Sequence, residues 1–315
     1  MSTSKVKTVR ELPAVSIGIP FYNAENYLLD AIKSVFAQTH KNWELILLDD
    51  GSTDRSLEIA RSIDDPRVRV YSDGQNKRLA ARLNEIAHLA RFDYLARMDA
   101  DDLMARDRLE KQLHVLLSDS QADLVTTGVC SLRDDGEPVG FRCVPDGHQI
   151  VPYRLLGGKS GIVHAAVLGR RKWFLRNPYD ESLPKSEDAN LWVRAFAKRD
   201  LNVRFITEPL YFYREDGNVT IEKLLLSYRI GRGTIIRDAN ETFGVLDRVW
   251  ALSRNSAKSV GVWLLSTLGK MDLVRARRNT ELIDRAGREY ILSEIIEIQS
   301  VPLPLRACSN LGEGN

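Results

Sequence analysis

Several things are scarce in this sequence, and each absence closes a route. Cysteine occurs three times in 315 residues, as Cys130, Cys143 and Cys308, too few and too scattered for a disulfide framework or a zinc site. The five histidines show no metal-ligand spacing. No apolar run reaches the ~18 residues that a membrane-spanning helix needs. Met1 to Arg10 is polar and lacks the apolar core of a signal peptide, so a cytoplasmic location is the expectation. The net charge of +2 argues against a protein that coats nucleic acid. Neither G-x-x-x-x-G-K-[ST] nor G-x-G-x-x-G occurs, so a simple dehydrogenase is not expected, and phosphate charge must be met by metal and basic side chains.

What is present is ample apolar residue, 43%, beside 28% charged residue, the balance of a folded soluble protein. The length allows one large domain with an appendage. An apolar run over 15–19 closes at Pro20-Phe-Tyr-Asn23, and Leu28, Ala31, Ile32, Val35 and Phe36 then repeat at helical spacing. A second buried strand over 43–48, a helix with Leu57 and Ala60 inward, a short strand over 68–71 and a helix over 78–90 follow. This alternation predicts an α/β fold with a doubly wound, mainly parallel sheet. Further on, the pattern predicts a helix over 106–117, a strand over 123–130, a strand over 162–168 containing His164, a helix over 187–198 and a strand-like segment over 203–213 interrupted by Pro209. From about residue 222 strand signals give way to helical, basic and apolar sequence.

Residues 93–103 carry the densest signal. Tyr94, Leu95, Ala96 and Met98 form an apolar run that ends on Asp99, Asp101 and Asp102. Burying an unpaired charge costs several kcal/mol or more, so these acids belong where the strand leaves the sheet. Open α/β sheets place their ligands at that edge. Crowded carboxylates repel unless a cation lies among them, and such ligands suit Mg²⁺ or Mn²⁺, whose coordination is completed by substrate phosphates. A solvated acidic turn would account for the same residues. The 43–48 strand also ends in acids, Asp49 and Asp50, so one crevice would gather both clusters with the end of the first strand at Pro20. That edge offers an aromatic plane in Tyr22, a base acceptor in Asp50, a ribose acceptor in Asp99 and a metal ligand in Asp101, a set suited to a nucleoside diphosphate. Arg78, at its helix start, is placed to meet phosphate, although a solvated arginine there would look the same.

A second stretch, residues 179–194, puts Glu187 and Asp188 in the first turn of a helix capped near Ser186. The helix dipole favours acids there by ~0.3–1 kcal/mol, which suffices to explain them. The functional reading makes one of the pair a general base toward an acceptor hydroxyl, its pKa raised by the neighbouring like charge and a closed pocket. His164 suits a satisfied core histidine or an acceptor contact. Trp192, at helical spacing from Asp188, could floor an acceptor sugar or pack in the core.

Taken together, Val15-Ser-Ile-Gly-Ile-Pro-Phe-Tyr-Asn23, Leu48-Asp-Asp-Gly-Ser-Thr-Asp54, Met98-Asp-Ala-Asp-Asp-Leu103 and Tyr179-Asp-Glu-Ser-Leu followed by Ser186-Glu-Asp188 and Leu191-Trp192 resemble the family 2 glycosyltransferases of the GT-A fold, over about residues 14–214. The resemblance implies that Tyr22 and Asp50 hold the nucleotide base, that Asp99 and Asp101 form the D-x-D pair with Asp101 reaching the metal, and that Asp188 is the base of an inverting transfer. It implies a nucleotide-sugar donor, UDP-linked, and a glycan acceptor, polyprenol-linked, in bacterial surface-polysaccharide synthesis. Arg106 stands where members often carry proline, Arg78 where they often carry glycine, and Asp216 where many carry histidine. The Q-x-x-R-W signature of processive synthases is absent, which implies one sugar per encounter.

The expected division is a tail over 1–13, a catalytic domain over 14–221, a helical extension over 222–300 and a loose tail over 301–315. In the extension Val260, Trp263, Leu264, Leu268 and Met271 share one face, followed by Arg275, Arg277 and Arg278. Docking of this face onto the catalytic domain is the preferred reading, and peripheral contact with the inner face of the cytoplasmic membrane is the alternative. The rival functions are a nucleotidyltransferase on a related fold, which would show a glycine- and basic-rich loop after the first strand, and a non-catalytic relative.

Overall fold

The computed structural model describes residues 11–214, 220–268 and 283–306. Two strands at its centre are buried over their whole length, β1 (Val15–Phe21) and β2 (Trp43–Asp49). Near-continuous apolar strands of this kind form where helices cover both faces of a parallel sheet. β1 pairs in parallel with β2 on one side and with β4 (Tyr94–Arg97) on the other, and β3 (Val68–Ser72) extends the edge beyond β2. The curled sheet continues with β8 (Leu168–Arg170), β6 (Leu124–Leu132), β9 (Val203–Arg214) and the short β5 (Leu103–Met104), while β7 (Pro138–Arg142) pairs with β6. β8 is antiparallel to both β4 and β6, whereas β6 and β9 run parallel.

Helices α1 (Leu28–Phe36), α2 (Ser56–Ser62) and α4 (Arg108–Ser118) bury their apolar faces against one side of the sheet. On the other side lie α3 (Arg78–Leu89), α5 (Pro152–Leu156), α6 (Arg171–Arg176) and α7 (Glu187–Ala197), joined by α8 (Ile221–Asp238) and α9 (Val245–Thr267). α3 crosses β1 so closely that a Cβ on Gly18 would sit 2.3 Å from Ile86 Cγ2, which makes glycine the residue that permits this layer spacing.

Three expectations change here. Residues 162–168 do not form one strand: a 3₁₀ turn, His164–Ala166, leaves the sheet before β8 begins. The apolar run there reflects residues that line a cleft, Ile162 to Ala165, and residues packed in the core, Ala166 and Leu168, not ladder pairing. The stretch 301–306 is not loose. Ile63 and Leu305 bridge, Asp64 N donates to Pro304 O at 2.7 Å, and Arg306 N donates to Ser62 O at 2.8 Å. The final helix, α10 (Arg285–Gln299), packs into the sheet domain: Ile291, Ile295 and Ile298 are buried with Leu103, Leu132 and Phe212.

The α9 stripe is reversed relative to the preferred docking reading. Val260, Trp263, Leu264 and Leu268 are exposed, and the face that packs inward carries the smaller Ala251, Asn255 and Val262. Met271, Arg275, Arg277 and Arg278 lie outside the described residues, as does Asp216. Among the described residues no helix is long and apolar enough to cross a membrane.

Candidate active site

The parallel register brings three chain segments to one sheet edge. Phe21 pairs with Asp49, Gly18 pairs with Arg97, and Met98 N donates to Gly18 O at 3.1 Å. The loops after β1 and β2 are tied together, since Asn23 (φ 50°) receives Thr53 N–H on Oδ1 at 2.8 Å and donates its own N–H to Ser52 Oγ. Pro20 is buried as a β1 ladder residue opposite Leu48, and Tyr22 stands just beyond the strand, 50% exposed.

The acidic turn after β4 is pinned from below by β9. The Tyr211 hydroxyl accepts Asp99 N–H at 3.0 Å and donates to Asp102 Oδ2 at 2.7 Å, while Arg214 N donates to Asp102 Oδ1 at 2.8 Å. Asp102 is therefore a buried anchor and no part of an exposed acid triad, which corrects the expectation of three acids around one ion. Its burial, with Asp101 and Asp99 close by, pushes its carboxyl well above the usual carboxylate range. Asp99 remains partly open, with Oδ1 held by Arg97 Nη2 at 2.6 Å, and Asp101 is partly exposed.

Asp50 is held at the start of α3. It accepts the N–H groups of Lys77 at 2.7 Å and Arg78 at 3.1 Å, together with buried Arg82 Nε at 2.9 Å. A carboxylate has about four acceptor positions, so these three donors leave Asp50 one, on Oδ2. Arg78 has φ 70°, the left-handed region that favours glycine, which accounts for the glycine seen at this position in the resembling sequences. Its side chain is exposed, and the next residue, Leu79, lines the main cleft.

That cleft has a volume of about 960 Å³ and is walled by Asp99, Arg97, His164, Ser186, Glu187 and Asp188, among others. Ser186 precedes α7 with φ 60° and makes no side-chain cap. Non-glycine residues in such a conformation concentrate at functional sites, and Asn23, Arg78 and Ser186 all flank this edge. Burial pushes the Asp188 carboxyl above the usual range, against the opposing pull of the Ala189 N–H and Arg97. Glu187 is raised too, first by burial and then by Asp188. His164 Nε2 lies 2.8 Å from the Tyr179 hydroxyl, and burial together with Arg97 holds its imidazole neutral, well below the usual range.

The structure thus gathers Asp99, Glu187, Asp188 and His164 in one cleft. Asp50, Arg78, Asp101, Tyr22 and Pro20 lie along the same edge but do not line the cleft wall. Trp192 is not brought in. It is 2% exposed and packs against Trp173 and His164, so it belongs to the core and does not floor a sugar. Arg97 and Tyr211 are the site residues that sequence reading passed over. A lone arginine closing the apolar Tyr94–Arg97 strand was the available signal, since a buried cation needs an acid partner.

Among the described residues no three His, Cys, Asp or Glu side chains are grouped to hold a metal ion. Asp99 and Asp101 nonetheless supply hard carboxylate oxygens next to an open cleft. That donor chemistry fits Mg²⁺ or Mn²⁺ held by one or two carboxylates, with a diphosphate completing the shell.

Comparison with known proteins adds independent findings. The model described as "Glycosyl transferase family 2" matches residues 16–176. EpsE of Bacillus subtilis (strain 168), a protein named as a glycosyltransferase, is 32% identical over 235 residues, covering 72% of this chain and 82% of its own. TuaG of the same organism, named as a teichuronic acid biosynthesis glycosyltransferase, is 36% identical over 129 residues, covering 40% of this chain and 51% of its own. Among solved structures, S. aureus TarS 1–349 in complex with UDP aligns with a TM-score of 0.58 at 15% identity, over 90% of this chain and 80% of that one. The mannosyltransferase PcManGT from Pyrobaculum calidifontis, in complex with GDP-Man and Mn²⁺, aligns with a TM-score of 0.54 at 18% identity, over 91% and 86%. At such identities the structures speak for the fold alone.

Proposed function

The chain belongs to glycosyl transferase family 2, and from that premise we propose that it moves one sugar from a nucleoside-diphosphate sugar, UDP-linked, to a hydroxyl of a lipid-linked glycan in bacterial surface-polysaccharide assembly. The observation that carries this reading is the meeting of Asp99 and Asp188, from distant parts of the chain, in one cleft. In this proposal Asp50 uses its remaining acceptor position toward the base, beside the Tyr22 ring. Asp99, with Oδ1 committed to Arg97, turns Oδ2 to the ribose. Arg78 lies near the diphosphate.

Asp188 is the general base, removing the acceptor hydroxyl's proton as that oxygen attacks the anomeric carbon from the face opposite the leaving group, which inverts the centre. Its raised pKa brings it toward the range where a base works best near neutral pH. Arg97 sets a fixed positive charge beneath the pair and keeps Asp188 ionisable. Asp101 would hold Mg²⁺ or Mn²⁺, and such an ion supplies neutralisation of the departing diphosphate.

The exposed face of α9 supports a site at a membrane surface. Leu246, Val249, Trp250, Val260, Trp263, Leu264 and Leu268 are exposed along it, and Ser253, Ser256, Ala257 and Thr267 fill the same face without a charge. Aromatic and aliphatic side chains with bases on the flanks, here Arg254 and Lys258, suit an anionic lipid interface. Two experiments test the reading. A thermal-shift panel of nucleotide sugars should give stabilisation by a UDP-sugar that grows with Mn²⁺, and an unresponsive panel would defeat the donor assignment. The protein should also float with phosphatidylcholine–phosphatidylglycerol vesicles at low salt; if it stays at the bottom of the gradient, the membrane assignment goes.

A further inference from the structure

The far wall of the cleft has the opposite electrical character from the acidic edge. It carries Arg154 and Lys159, the second of them in the loop Gly157-Gly158-Lys159-Ser160-Gly161. The loop folds back tightly after α5: Lys159 N donates to Arg154 O at 2.8 Å and Gly158 N donates to Leu155 O at 3.0 Å. α9 adds two more cations to the corner. Arg254 Nη1 approaches Gly157 so closely that a Cβ there would sit 2.6 Å away, so a side chain at this position would displace the guanidinium. Arg254 stacks over Trp250 at 5.0 Å, and Lys258, one turn on, lies over Tyr228 at 5.6 Å.

Among the described residues none of these four cations has a carboxylate within 4 Å, in a chain where arginines such as Arg82, Arg97, Arg106 and Arg176 are all ion-paired. Burial, together with Arg254 and Lys159, depresses the Lys258 pKa, so the cluster is close enough to repel itself. Uncompensated like charge held in place by fold contacts is a site for an anion. Beside it a smaller cavity of about 210 Å³, lined by Leu155, Leu156, Val193, Ile230, Ile235 and Lys258, shares Ser186 with the main cleft. Trp250 also meets Tyr153 edge-on at 5.1 Å, which joins the corner to the uncharged α9 face.

We propose that Arg154, Lys159, Arg254 and Lys258 form a phosphate-binding subsite at the acceptor end of the cleft, which takes the phosphate ester of a lipid-phosphate molecule. This deepens the transferase reading and rests on it. A lipid phosphate bound here keeps its chain along the α9 face and projects its glycan toward Asp188. The same chemistry has two sources, the diphosphate of a prenyl-linked acceptor or the headgroup of an anionic bilayer lipid.

The test uses the full chain saturated with UDP and Mn²⁺, with farnesyl diphosphate as the soluble probe in calorimetry and phosphatidylcholine–phosphatidylglycerol vesicles in flotation. The variants are the double Lys159→Gln/Lys258→Gln and its conservative counterpart Lys159→Arg/Lys258→Arg. If the source is the acceptor, farnesyl diphosphate binding weakens at least tenfold in the Gln pair, recovers in the Arg pair, and flotation is unmoved. If the source is the bilayer, flotation is lost in the Gln pair and recovered in the Arg pair. Either pattern supports the subsite. Unchanged behaviour of both probes in the Gln pair, or binding of neither probe to the wild type, overturns it. UDP stabilisation is read separately on the same variants, so a failure of the donor reading shows there and is not confused with a failure of the subsite.

Discussion

The sheet edge and the α5–α9 corner are built on different electrostatic terms. At the sheet edge the acids are answered from within: Asp50 by Arg82 and two backbone N–H groups, Asp99 by Arg97, and Asp102 by Tyr211 and Arg214. At the α5–α9 corner none of the cations Arg154, Lys159, Arg254 and Lys258 has a carboxylate within 4 Å among the described residues, and Lys258 feels Arg254 and Lys159 as like charges. Fixed dipoles and pre-paired charges need no reorganisation when charge develops, which is what a reacting centre gains from the first arrangement. The second leaves its charge for a ligand to complete. Asp188 stands between these regimes, raised by burial and only partly relieved by Arg97.

The sharpest way to break this comparison is to remove the one acid that burial holds in readiness. Asp188→Asn is expected to lower turnover by about 10²–10⁴-fold, the usual contribution of a positioned base, while UDP-sugar stabilisation stays within experimental error. Near-normal turnover would remove Asp188 from the proton transfer. The wild-type pH profile sharpens the point. The base must be unprotonated, so turnover falls as pH drops through its pKa. Because that pKa is raised, the acid limb should lie above the ordinary Asp value of about 3.9. Asp101→Ala makes the complementary cut. The Mn²⁺-dependent part of the nucleotide thermal shift should vanish and the metal-independent part should survive. A full metal response in that variant would place the ion elsewhere.

Next in size is the scaffold beneath the acidic turn. Tyr211→Phe leaves Asp99 N–H and the buried Asp102 carboxyl without their shared hydroxyl. Unsatisfied buried groups cost about 1–3 kcal/mol, so denaturant unfolding should show a loss in that range with weaker nucleotide binding. An unchanged unfolding midpoint would mean that the turn does not depend on β9 for its shape.

How much of this could be read from residues alone follows a physical division. The acids at strand ends were legible because a charge that closes an apolar run has one place to go. The α9 stripe was legible as a stripe, but periodicity does not say on which side the rest of the protein lies, and the small inward residues Ala251 and Val262 won the packing. His164 looked like a strand residue because its neighbours are apolar, yet Ile162, Val163 and Ala165 line the cleft with it. The cationic corner was invisible because Lys159 comes from the loop after α5 and Lys258 from α9, far apart in the chain. The pinning of 301–306 depended on backbone partners near Ser62 that no local pattern predicts.

Arg106 gives the smallest effect and the clearest case of such long-range dependence. Where the resembling sequences often carry proline, Arg106 donates its backbone N–H to Glu294 Oε2 at 3.2 Å, its Nε and Nη2 to Glu294 Oε1 at 3.1 and 2.7 Å, and its Nη1 to Glu297 at 3.1 Å. Proline could supply none of these donors. The residue that follows the acidic turn therefore fastens α10 over the third apolar cluster, with Glu294 buried and Arg106 more open. Partial exposure screens the pair, so Arg106→Ala should cost about 1 kcal/mol. Hydrogen exchange should then quicken in α10 while α7 and the cleft keep their protection. If protection in α10 were untouched, its attachment would come from Ile291, Ile295 and Ile298 alone, and Arg106 would be a surface substitution that the fold merely tolerates.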